Sequence, residues 1–124
     1  MGGYPDLHNY LFGVMILAFA DDSTVTAVDD IAQANTHCEV IDVENGLYTF
    51  LDEHGAKLHP VFPTPTKRTI FGVLCSPDYF TLAATAERRP DLLQAIYDGM
   101  IIVDPGPRIR TSEELIRELR KCEH

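Results

Sequence analysis

The sequence predicts an α+β fold: an antiparallel sheet of about five to seven strands with two or three short helices, one of them C-terminal. Three observations lead there. Alternating apolar and polar residues flank the dipeptide Asn45-Gly46, a nearly unbroken apolar run precedes an Asp-Asp-Ser turn, and the last dozen residues repeat apolar positions at helical spacing.

Taken in order, Leu11 to Phe19 is apolar at nearly every position. A helix there would set Asp21 and Asp22 against the negative end of its macrodipole with no Gly or Asn cap, so a strand is the expectation. Ala18-Phe19-Ala20 has the small-x-small form of a leader-cleavage site, but no Lys or Arg precedes it, and a leader is not expected. Asp21-Asp22-Ser23 then reads as a turn and Thr24 to Val28 as a return strand. Asp29 or Asp30 is placed to cap a short helix reaching about Asn35.

Asn45-Gly46 reads as a type I′ hairpin turn, because both central positions of that turn need positive φ. His54-Gly55 reads as a second two-residue turn, which gives a central three-stranded meander over about 38–62. In that register Ile41, Val43, Tyr48, Phe50, His59 and Val61 share the core face, and Glu39, Asp52 and Lys57 form a row across it. Pro60, Pro63 and Pro65 cannot donate ladder hydrogen bonds, so this stretch is expected at an edge. Thr69 to Cys75 reads as one buried strand, Ser76-Pro77-Asp78 as a turn and Tyr79 to Thr85 as the strand paired with it.

Arg88-Arg89-Pro90-Asp91 opens a helix that carries Leu92, Leu93 and Ile96 on one side and stops at Gly99. Met100 to Val103 is a short strand. Thr111 with Glu114 is a capping-box pattern, and Leu115, Ile116, Leu119 and Cys122 form the apolar stripe of the last helix. The helices are expected mainly on one face of the sheet. At 124 residues, one domain over 1–124 is the expected organisation.

The net charge of −9 sets the function classes. Binding to nucleic acid or to an anionic membrane needs clustered cations, and neither is expected here. Up to Pro60, Lys57 is the single Lys or Arg, whereas acids and bases cancel from Val61 onward. The excess negative charge therefore belongs to the first half. Cys38, Cys75 and Cys122 are odd in number and unpaired in spacing, which argues against a disulfide framework and for a cytoplasmic setting.

Phosphate-loop, dinucleotide, zinc-protease and nucleophile-elbow patterns are missing from the sequence. Asp42 to Gly46 resembles a calcium loop only loosely, lacking its alternating ligands and distant Glu, and no metal or cofactor is expected. The favoured reading is a non-enzymatic protein-binding module of inhibitor, regulator or immunity type, whose acidic face (Asp21, Asp22, Asp29, Asp30, Asp42, Glu44) engages a basic partner. Two alternatives stand beside it. One is a small hydrolase or ligand-binding enzyme using His59, Cys75 and a carboxylate; the other is a structural homodimer subunit.

Overall fold

A computed structural model of the chain describes residues 15–62, 68–70, 73–75 and 79–122, with the backbone alone at 68–70 and 73–75. The order of elements is β1 (Ile16–Ala20), β2 (Thr24–Val28), α1 (Ile31–His37), α2 (Val40–Glu44), β3 (Tyr48–Asp52), β4 (Ala56–Val61), β5 (Arg68–Ile70), β6 (Val73–Cys75), β7 (Thr81–Arg88), α3 (Pro90–Tyr97), β8 (Ile102–Val103) and α4 (Ser112–Lys121). The main sheet runs β7-β4-β3-β1-β2-β8. It is antiparallel throughout except where β8 pairs in parallel with β2, and β5 and β6 form a separate two-stranded sheet. The α+β class holds, and the sheet is mostly antiparallel.

β1 lies in the middle of the sheet, between β3 and β2, and is buried on both sides. Leu17 and Phe19 face a core built with Val25, Leu51, Ile96, Leu115 and Leu119, while Ile16 and Ala18 face a second core with Val28, Val43, Phe50, Phe80 and Leu82. A strand covered on both faces has no polar side to show, which is why its sequence does not alternate. The first core lies under α3 and α4 and the second under α1 and α2. Helices therefore cover both faces, where the sequence reading put them mainly on one.

The meander expected at 38–62 is corrected at its first strand. Residues 40–44 form α2, and Asn45-Gly46 ends that helix instead of reversing a hairpin. Gly46 donates to Val43 O at 3.1 Å and Leu47 donates to Asp42 O at 3.0 Å, with Gly46 at φ +78° and Asn45 at φ −82°. This pair of bonds is a Schellman cap. Both motifs require a glycine at positive φ, so the dipeptide alone does not distinguish them. The true neighbour of β3 on that side is β1, with Phe19 opposite Thr49 and Ala18 opposite Phe50.

The second hairpin exists with its register moved by one residue: Phe50 lies opposite Leu58, not His59. Its loop takes three residues, because Asp52 Oδ1 accepts from the amides of both His54 (2.8 Å) and Ala56 (2.9 Å) while Gly55 turns at φ +87°. A one-residue slip exchanges the faces of a strand. Leu58 accordingly takes the buried place, and His59 is exposed. Ile41, on α2, is 48% exposed and Val61 42% exposed, so neither is core.

Pro60 is tolerated inside the sheet because β4 meets β3 only at Lys57 and Leu58; further along, its ladder is with β7 alone, Pro60 lying opposite Leu82. Pro63 and Pro65 lie outside the described residues, as do Leu11 to Val14 and the Ser76-Pro77-Asp78 turn. The single strand expected at Thr69–Cys75 is instead two strands paired with each other, and β7 pairs with β4. The C-terminal helix is as read: Thr111 Oγ1 accepts from the Glu114 amide at 3.1 Å, and the Glu114 carboxylate accepts in return from the Thr111 amide at 3.2 Å.

Candidate functional site

One end of the sheet gathers the groups of most chemical interest. Ala20, the last residue of β1, pairs with Tyr48, the first of β3, so the Asp21-Asp22-Ser23 turn stands beside the cap of α2. Ser23 takes the left-handed conformation at φ 67°, as the third residue of a three-residue hairpin loop must. Thr24 Oγ1 donates to Asp22 Oδ1 at 2.6 Å and holds that carboxylate at the turn.

Below the turn, the Cys38 thiol and the Tyr48 hydroxyl lie close enough to influence each other's protonation. Burial pushes the Cys38 thiol up to about 11; the neighbouring Tyr48 hydroxyl opposes this and the Asp42 charge adds to it. Tyr48 is pushed up to about 12, chiefly by burial, with Cys38, Asp42 and Asp22 contributing. Two carboxylates from separate elements, Asp22 on the hairpin and Asp42 on α2, thus act on one tyrosine. A thiol held in its neutral form is a poor nucleophile, so Cys38 serves packing.

The six acidic residues singled out from the sequence are not equivalent. Asp29 pairs with Arg108 across 2.9 Å, and Asp30 caps α1 by accepting from the Gln33 amide at 2.9 Å. Both carboxylate oxygens of Glu44 are shielded from water without a hydrogen-bond partner. Asp21 and Asp22 are exposed, Asp42 is half-buried, and none of the three has an ion-pair partner among the described residues. Asp21 lines a shallow recess of about 230 Å³ together with Ser23, Leu47, Thr49, Arg89 and Ile101, among others. Arg89 is itself clamped by both oxygens of Asp91, at 3.1 and 3.0 Å, and the recess keeps an acidic rim at Asp21.

The other sequence candidates are dispersed. Glu39 precedes α2, Asp52 lies opposite Ile16 and Lys57 opposite Leu51, so the expected row of Glu39, Asp52 and Lys57 does not form. Lys57 instead approaches Glu87 at 3.7 Å. His59 pairs with Ala83 in the main sheet, whereas Cys75 pairs with Arg68 in the small one, its side chain outside the described residues. Among the described residues, no group of three or more His, Cys, Asp or Glu is assembled as a metal site, and no helix is long and apolar enough to cross a membrane.

Glu53 is a residue that sequence reasoning missed. It is 6% exposed, accepts from the Met15 amide at 3.3 Å and lies 3.4 Å from His54 Nε2, tying the start of β1 to the β3–β4 turn. An acid in a turn carries no sequence signal for burial. The nearness of Cys38 to Tyr48 was equally hidden, since it depends on α2 being a helix. No family model matches the chain, and no curated protein or solved structure matches it either.

Proposed function

We propose that the chain is a non-enzymatic protein-binding module that engages a basic partner through the acidic end of its sheet, at Asp21, Asp22 and Asp42. One observation carries this reading. The helical layer over one sheet face, residues 29–44, contains Asp29, Asp30, Glu39, Asp42 and Glu44 and no Lys or Arg, and the Asp21-Asp22 turn adjoins it. Concentrated charge of one sign accelerates encounter and selects partners of the opposite sign. Exposed Leu47 beside the turn supplies an apolar contact of the kind found at the centre of binding patches.

The test is kinetic. A partner captured on the immobilised chain should associate more slowly as salt rises from about 20 to 300 mM, where the Debye length shrinks from roughly 20 Å to below 8 Å, while dissociation changes little. The double substitution Asp21→Lys with Asp22→Lys should reproduce the high-salt rate at low salt. Association indifferent to both salt and charge reversal would exclude this end of the molecule as the recognition surface.

A further inference from the structure

The opposite helical layer carries a feature of the other sign. Along α4, Glu113, Ile116, Arg117, Arg120 and Lys121 follow the i, i+3, i+4, i+7, i+8 spacing of one helix face and line an open groove of about 510 Å³. Leu115 and Leu119, on the neighbouring face, are buried in the core, so the groove stripe is fixed in direction by the docking of the helix. Among the described residues, Arg117 makes no ion pair or hydrogen bond, and Arg120 is held over the Tyr97 ring, 5.8 Å from its centroid, with no carboxylate partner. Lys121 is 3.1 Å from Glu118 and its side chain is 66% exposed. In a chain with nearly twice as many acids as bases, two arginines in one groove without a carboxylate partner among the described residues are an exception to be accounted for.

We propose that this groove binds an extended acidic segment of a partner protein, with carboxylates at alternate positions. Arg117 and Lys121 stand one turn apart, about 6 Å along the helix axis at 1.5 Å per residue. Alternate residues of an extended chain point to one side and are about 6.6 Å apart. Two Glu or Asp side chains at positions i and i+2 therefore meet Arg117 and Lys121 together, and the planar guanidinium of Arg117 donates two parallel N–H bonds to a carboxylate. Half-buried Ile116 offers an apolar floor beside the cations, and Glu113 closes the other end to negative charge and sets the polarity of the segment. The groove is independent of the acidic end, since it lies on the layer over the other face.

The probe is a fluorescent, end-blocked peptide of sequence Leu-Glu-Ala-Glu-Ala, compared by anisotropy with a same-composition peptide, Leu-Glu-Glu-Ala-Ala, in which the acids are adjacent. The intact chain is expected to bind the alternating peptide at least 3-fold more tightly at low salt. Replacing Arg117→Gln and Lys121→Gln together should weaken it at least 10-fold, while Asp21→Lys with Asp22→Lys leaves that preference in place. A chain unfolding trace matched to wild type shows that the Gln variant is folded, and Arg117→Lys, which keeps the charge, should retain most of the binding. Equal affinity for the two peptides, or affinity unmoved by the Gln pair, overturns the proposal. Self-association of the chain that the Gln pair abolishes would give the groove to a second copy and overturn it as well.

Discussion

At Gly46 the backbone stands at φ +78°, and a Cβ built there meets nothing within 4 Å. The cost of a side chain is therefore conformational, not steric. Gly46→Val should destabilise the protein by about 1 to 3 kcal/mol, because a β-branched residue is strained at positive φ, and the urea midpoint reads the loss directly. Ser23 is the converse case. It already occupies the left-handed region at φ 67° with a side chain, so Ser23→Gly should raise stability by about 0.5 to 1 kcal/mol, measured by the same midpoint. The two substitutions together check that the loops, not the core, set these positions.

The Cys38–Tyr48 pair gives a pH prediction at the same scale. Both groups have folded pKa values raised above their ordinary ones, to about 11 and about 12. Such groups contribute fully below their unfolded values of about 9 and 10, and the contribution is lost as pH rises through the folded values. Stability should accordingly fall between about pH 9 and 12. Replacing Cys38→Ala should flatten the first part of that fall, seen in denaturation midpoints taken at half-unit intervals.

Among the elements, α4 is the one whose chemistry was most legible. Its cap and its apolar stripe come from local rules, and the structure keeps the capping box and buries Leu115 and Leu119 of the stripe. Leu119→Ala should cost about 2 to 5 kcal/mol, since Leu119 is buried in the core, whereas Arg120→Ala should cost no more than about 1, the worth of its exposed contact with Tyr97. Similar losses from the two would mean that the helix does not dock through that face. Legibility failed where a local signal served two structures. Asn45-Gly46 fits a hairpin and a helix end alike, and Val40 to Glu44 became helical because its apolar residue Val43 had a sheet to cover. The His54-Gly55 turn was found, but Asp52 lengthened its loop by one residue, and with that the face of His59 was lost. The acidic end was legible as composition; which of its carboxylates are already engaged was not, because Arg108 reaches Asp29 from 79 residues away.

Viewed whole, the molecule is three layers deep and unevenly charged. Residues 29–44 carry five Asp or Glu and no Lys or Arg, whereas residues 88–122 hold seven Lys or Arg against six Asp or Glu. The two helical layers therefore present different electrostatic surfaces on opposite sides of a buried sheet. This bears on solubility, since Asp21→Lys with Asp22→Lys brings the formal charge from −9 to −5, and sedimentation at about neutral pH should show whether weaker self-repulsion lets the chain associate.

The strand order β7-β4-β3-β1-β2-β8 also has a temporal meaning. Of the described strands of this sheet, β1 is made first and sits in the middle; β2 joins on one flank, β3 and then β4 and β7 on the other, and β8 last beside β2. Among the described strands, and apart from the small β5–β6 sheet, each strand emerging from the ribosome finds its partner already synthesised and its place at a free margin, so none of them has to be inserted between paired strands. The sheet can grow outward in the order of translation, and the final parallel pairing of β8, 74 residues after the end of β2 at Val28, closes a structure whose centre is complete when Asp52 has emerged.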